Sequence, residues 1–324
     1  MPKNEPYYHR ITINFPTNIG DTVLGLPVID ALRSCYPASQ ISVIASRQTE
    51  EFFSRHNNIN RVLVFDKRWN IWKKMRFAFS LAGSCDLMVD LKNSLLPLVS
   101  GGKHTPFCRA KTSHQHAKDA YLALIAPFAP KAPRAISDFI LNDTESKKWE
   151  NYKLPNAIFI ACASNALQKQ YPYKHLAETI RQLKQVAPMI ILGQERDRQF
   201  YKDILGMEGI VDLVGKTAIH EVFYLIKKHC QLLVCVDSSI LHITSYLNIP
   251  TVALFGQNSP QRYGPWSTKY TVLYNEQLPC VPCEKPHCHM NHQCMEINPG
   301  QVVKAVQQLY NDMYHKNAGN RVED

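Results

Sequence analysis

Short apolar runs alternate with helix-spaced segments along almost the whole chain, and that alternation limits the fold more than any other feature. Ile11–Asn14 is a strand pattern, and Asp21–Cys35 carries apolar residues at helical spacing through Val23, Leu24, Leu26, Ile29 and Leu32, stopped by Tyr36-Pro37. Strand patterns follow near Ile41–Ala45, Val62–Phe65 and Leu87–Leu91. After the Pro- and Lys-containing stretch Ala129–Pro155 a second series begins, near Ile158–Ala161, Met189–Leu192, Val211–Leu213, Leu232–Val236 and Val252–Phe255. Continuous apolar strands separated by helices predict parallel sheets covered on both faces. The expected fold is therefore α/β, with two facing Rossmann-like doubly wound parallel-sheet domains over residues 1–150 and 151–316 and a frayed polar tail at 317–324. Ligands of such sheets bind at the carboxyl ends of the strands, so a cleft between the domains is expected to hold the site.

A chain of 324 residues with 45% hydrophobic content can fill two cores. Its longest apolar runs, such as Ala187–Gly193, fall far below the roughly 20 residues that span a bilayer, and Met1–Arg10 is polar, so a cytoplasmic protein is expected. Cys35, Cys85, Cys108, Cys162, Cys230 and Cys235 are scattered through ordinary α/β sequence, which fits reduced thiols. The net charge is +10, and residues 1–150 contribute +7 of it, from 20 Lys/Arg against 13 Asp/Glu. Nucleic acid, anionic lipid and phosphorylated substrate all remain open on charge alone.

Several segments at strand ends can carry chemistry. Asp21, in Asn18-Ile19-Gly20-Asp21-Thr22, is either a helix N-cap or a general base for an attacking hydroxyl. Strand Leu232–Val236 runs into Asp237-Ser238-Ser239-Ile240-Leu241-His242, where a helix start aims unpaired N–H groups and a positive dipole end at a diphosphate. The plain alternative makes Asp237 a cap and His242 a partly buried helix residue. Ser164 and Lys169 follow the second domain's first strand, and Lys169 is either a phosphate partner or a solvated charge. Glu195 follows another strand and suits ribose hydroxyls or a helix first turn. Phe255–Pro260 is a polar rim.

In this order the segments resemble glycosyltransferase family nine, the lipopolysaccharide heptosyltransferases: Ile19-Gly20-Asp21 through Pro27 at the N-terminal signature, Lys169-x-Tyr171-Pro172 at the donor-phosphate segment, and Asp237–His242 with Phe255–Pro260 at the C-terminal one. The resemblance spans nearly the whole chain and implies the GT-B architecture. It also implies inverting transfer of heptose from ADP-heptose to a hydroxyl of a lipid A core-type acceptor. Asp21 would then be the base, Lys169 and the Ser238–Leu241 amides the diphosphate clamp, and Glu195 a ribose contact. Lysine and helix dipole would supply the positive charge, so no catalytic cofactor is implied. Ser239 stands where family members usually have glycine, and Asn258-Ser259 where Thr-Asp is common.

Two segments lie outside this pattern. Cys280, Cys283, Cys288 and Cys294, interleaved with His287, His289 and His292, have the density of a structural metal site, with zinc and iron both open, or are reduced thiols in a Pro-rich loop. Lys67–Phe77 mixes bases with large aromatics, and reads as a helix on an anionic membrane surface that inserts Trp69, Trp72 and Phe79 or as an amphipathic helix with its aromatics turned inward. Two rival functions stand beside the transferase. One is an inactive transferase-like scaffold, hinted at by Ser239. The other is a metal-knuckle nucleic-acid-binding protein, against which the cysteine segment offers only Lys285 as a strong base. Nucleic acid is therefore not expected as a partner.

Overall fold

The structure, a computed structural model, describes residues 7–106, 115–130, 136–275, 277–285 and 287–319. Cys108 and the last five residues lie outside them. The chain forms two compact units, Met1–Leu141 and Asn142–Asp324.

In the first unit β1 (Arg10–Asn14), β2 (Gln40–Ala45), β3 (Arg61–Val64), β4 (Leu87–Asp90) and β5 (Lys103–His104) make one sheet in the order β3-β2-β1-β4-β5. Every pairing is parallel, and Ile13 stands beside Val43 on one side and Val89 on the other. Helix Ile19–Cys35 follows β1; from Thr22 to Leu32 it is buried throughout. Its breadth of burial explains why its apolar residues show no single narrow stripe. Helix Ile71–Ser80 is different, with no fully buried residue. Phe77 packs toward the cluster of Ile44, Leu81, Cys85 and Met88. Trp69, just before the helix, packs on Phe65 and Phe77 at centroid distances of 5.8 and 5.9 Å. The reading that turned Trp69 outward beside Trp72 and Phe79 is thereby corrected, because the aromatic cluster beneath the helix accepts Trp69 but not the other two.

The second unit pairs β6 (Ala157–Ala161), β7 (Met189–Ile191), β8 (Ile210–Asp212), β9 (Cys230–Val236), β10 (Thr251–Phe255) and β11 (Tyr270–Tyr274) in the order β11-β10-β9-β6-β7-β8. All five pairings are parallel. Strands β6 and β10 are buried along their whole length, which is why they read as unbroken apolar runs. The chain starts at β6, winds outward to β8, then returns to β9 at the other side of β6. The strand order reverses between β6 and β9, and in open α/β sheets such a switch point is where ligands bind.

The division between units falls before the expected residue 150. Helix Asp143–Tyr152 opens with a reciprocal capping box between Asn142 and Glu145 and belongs to the second unit. Its one buried side chain, Trp149, donates its indole N–H to Glu221 Oε1 at 2.9 Å. Glu221 also accepts from Lys148 Nζ at 2.9 Å and from the Ala218 N–H at 2.7 Å. A single tryptophan in ten polar residues leaves no periodicity to read, so composition made this helix look like linker. At the other end helix Pro299–Gly319 runs three residues into the expected tail.

Glu221→Ala strands the buried indole N–H and is expected to lower the unfolding free energy by about 1–3 kcal/mol. Urea denaturation measures it, with Glu221→Gln losing less because the amide oxygen still accepts.

Candidate active site

At the switch point of the second sheet, three loops meet on one carboxylate. Asp237, the residue after β9, has a side chain only 6% exposed. Lys169, at the end of the 3-10 turn Leu167–Lys169 beyond β6, places Nζ 2.7 Å from Asp237 Oδ2. Asn258, beyond β10, donates from Nδ2 to the same oxygen at 2.6 Å. A buried carboxylate without partners is strongly unfavourable, so this arrangement fixes all three loops together. Lys169 is thus neither a solvated charge nor an isolated cation. Asp237 engages one of three ammonium donors, and the side chain stays 25% exposed.

Helix Ser239–Tyr246 begins immediately afterwards. Its N-cap is Ser238, in an extended conformation and with no side-chain cap bond. Asp237 is therefore not the cap, because its carboxylate is turned to Lys169. The first turn carries no acid, and Ser238 Oγ is buried without a hydrogen-bond partner among the described residues. An uncapped helix start with its dipole and N–H groups exposed to a ligand suits an anion. Ser239 occupies an ordinary right-handed helical position, so a side chain is tolerated there without backbone strain. Ile240 is half-buried and Leu241 is fully buried, so Leu241 offers the site its backbone alone. The His242 ring is buried and stacks on Trp266 with centroids 5.9 Å apart.

The remaining expected donor residues separate. Ser164 Oγ accepts from the Ala166 N–H at 3.2 Å and shapes the turn toward Lys169. Glu195 lies beyond β7 with its side chain 71% exposed and one oxygen 3.0 Å from Arg198 Nε. It starts a 3-10 turn whose cap is Gln194. Gly215 has φ +73°, and a Cβ there would stand 2.1 Å from Glu195 Oε2. Glycine is required at 215 both by its backbone and by this approach.

Three further residues support the site, and of these Tyr201 alone lies outside the segments that the sequence singles out. Tyr201 is fully buried, and its hydroxyl accepts the N–H groups of Cys162 and Ala163, both at 2.8 Å, holding the exit of β6. Burial pushes its phenol well above the usual range. Tyr171, in the Lys-x-Tyr-Pro segment, is also buried and donates to the Ile297 carbonyl at 2.9 Å, its phenol pushed up to about 12 by desolvation. Gly256 is pressed on both sides: a Cβ would lie 2.5 Å from the Gln168 carbonyl oxygen and 2.6 Å from Met295 Sδ.

The cysteine segment lies behind that glycine. The Gly256 Cβ position is 3.2 Å from Cys294 Sγ, and the Glu284 N–H donates to the Gln257 carbonyl at 3.0 Å. All four cysteines are unbridged. Cys288 Sγ accepts N–H groups from Met290 at 3.4 Å and His292 at 3.3 Å. The Cys294 thiol is raised to about 11, first by burial and then by the neighbouring Cys288, Cys283 and Cys280. Among the described residues no three of these sulfurs lie within 4.8 Å of one another.

In the first unit Asp21 is the third residue of helix Ile19–Cys35, half-buried in its first turn, and Asn18 is the N-cap. The N-cap alternative for Asp21 is therefore set aside. At that sheet's own switch point, between β1 and β4, Asn14 Nδ2 donates to Asp90 Oδ1 at 2.8 Å and to Ser94 Oγ at 3.0 Å. The Ser94 N–H closes the turn on Asp90 Oδ2 at 2.6 Å. Asn14 ends a predicted strand and Asp90 is the last residue but one of another, which is the only signal that marks them.

Gly256→Ala must displace the Lys169 turn or the Met295 side chain. It is expected to lower the unfolding free energy by about 1–3 kcal/mol, read by urea denaturation, and an unchanged midpoint would contradict the packing described.

The chain is similar to several known proteins. The model of glycosyltransferase family 9 (heptosyltransferase) matches residues 108–293. Lipooligosaccharide heptosyltransferase 2 of Campylobacter jejuni subsp. jejuni serotype O:6 is 23% identical over 331 residues, covering 93% of this chain and 99% of the relative. Among solved structures, Escherichia coli ADP-heptose LPS heptosyltransferase II aligns with a TM-score of 0.72 and 22% identity, over 94% of this chain and 99% of that one. A family 9 glycosyltransferase from Veillonella parvula aligns at 0.78 and 19% identity, over 95% and 99%. Their two-domain parallel-sheet fold is the GT-B class seen here. With more than half its length inside the family model, this chain belongs to glycosyltransferase family 9, the heptosyltransferases.

Proposed function

We propose that this family 9 glycosyltransferase moves a heptose from ADP-heptose to a hydroxyl of a lipopolysaccharide core acceptor, with inversion at the anomeric carbon. The observation that carries the reading is the uncapped start of helix Ser239–Tyr246 beside Lys169 at the β6/β9 switch point, a preformed site for a diphosphate. The names of the relatives agree with the sugar and the acceptor. In the reaction the acceptor oxygen bonds to the anomeric carbon as the bond from that carbon to the diphosphate oxygen breaks. Asp21 takes the acceptor proton. Lys169 and the amides of Ser238–Leu241 stabilise the charge that develops on the leaving ADP, and this positive surface performs the role without a catalytic metal. Glu195 holds the ribose hydroxyls.

The four thiols of the cysteine segment are assigned to a structural zinc or iron ion. Cys280, Cys283, Cys288 and Cys294 would hold the ion as sulfur ligands, a donor set that suits either metal. Metal analysis of the purified chain is expected to read about one ion per chain and none in Cys288→Ser. A metal-free parent overturns this assignment.

ADP release from ADP-heptose with a core acceptor tests the whole. Asp21→Asn is expected to lower kcat by about 100-fold or more while ADP affinity by calorimetry stays the same. Lys169→Gln is expected to weaken ADP about tenfold or more. Undiminished turnover in Asp21→Asn would remove it as base, and tighter binding of another nucleotide would replace the donor.

A further inference from the structure

Among the described residues, the first unit carries an apolar stripe that its own core does not cover. On helix Ile71–Ser80, Trp72 is 75% exposed, Phe79 64%, Ile71 63% and Met75 41%. At about 100° per residue, Ile71, Met75, Phe79 and Trp72 fall within one face about 100° wide. Phe77 lies on the opposite side, where it meets Phe65 and Trp69. The same rotation sets Lys74 on one edge of the stripe and Arg76 on the other, with Lys73 further round. All three bases are on a helix that contains no acidic residue. Arg68 does not join them, because its guanidinium is tied to Asp66 at 3.0 Å. Beside this helix packs the short helix Pro97–Ser100, and there Leu98, like Leu95 before it, is also exposed.

Large exposed side chains on one helix face are costly in water and rare in a monomer unless something covers them. The charge pattern chooses the cover. A second copy of the chain meeting this face about a twofold axis would set one lysine and arginine rim against another. An anionic lipid surface satisfies both features at once, taking the aromatic and aliphatic side chains below the headgroups and the bases at the phosphates.

We propose that helix Ile71–Ser80 is a peripheral membrane anchor that lies in the plane of an anionic phospholipid surface, with Ile71, Trp72, Met75 and Phe79 inserted and Lys74 and Arg76 at the headgroups. The assignment stands apart from the donor and acceptor chemistry, and its test uses no transfer reaction.

The full-length protein is mixed with vesicles of phosphatidylcholine alone or with added phosphatidylglycerol and sedimented. Binding is expected only to the anionic vesicles, and it is expected to weaken as salt is raised. Trp72→Ala/Phe79→Ala and Lys74→Glu/Arg76→Glu should each reduce partitioning about tenfold or more, with the thermal midpoint and ADP affinity unchanged. Trp72→Phe, which keeps an inserted ring, should retain binding. No binding to anionic vesicles overturns the proposal, as does binding that both double variants leave intact. Light scattering that shows a dimer lost in Trp72→Ala/Phe79→Ala would assign the stripe to a second copy and overturn it as well.

Discussion

The second unit is organised around one buried carboxylate. Asp237 follows the last residue of β9, and its charge, almost out of solvent, requires Lys169 from one loop and Asn258 from another. Each partner is therefore placed by electrostatics as much as by its own backbone. The ion pair also turns Asp237 away from the helix that follows, so Ser238 becomes the cap and leaves the first turn without a side-chain acceptor. A helix end deprived of its cap is a site for someone else's anion.

Behind that carboxylate the packing is tight enough to transmit small displacements. The Gly256 backbone touches the Lys169 turn on one side and Met295 on the other, so the loops that hold Asp237 are wedged against the end of the cysteine segment. Tyr171 reaches past the same region to the Ile297 carbonyl, and Tyr201 holds the exit of β6 through two backbone N–H groups. Residues that never touch a ligand thus decide where Lys169 and the helix start stand. The cysteine segment packs against the loops of the site through this wedge.

The first unit shows the opposite economy of burial. Helix Ile19–Cys35 is sunk in the core and carries Asp21 in its half-buried first turn, whereas helix Ile71–Ser80 keeps only an inward edge and gives its aromatic face to solvent. A helix held so lightly is at liberty to be shaped by what lies outside the protein. Basic residues at the two edges of the apolar stripe tie the unit's positive charge to that same surface.

Sequence alone determined the two parallel sheets, because a strand buried on both faces has to be apolar throughout, and β1, β6, β9 and β10 could be read within one or two residues. It also located Asp21, Lys169 and the Asp237–His242 segment at strand ends. It passed over β5, two exposed residues, and β11, a half-buried edge strand, where burial is too slight to leave a pattern. Helix Asp143–Tyr152 went unread for the same reason. Only the tertiary structure decided that Lys169 and Asp237, 68 residues apart, form an ion pair at 2.7 Å, that Tyr201 holds β6 from 39 residues away, and that Trp69 turns inward while Trp72 does not. Periodicity records which side of an element is buried, but a contact between distant loops depends on how the elements pack, and no local spacing encodes it.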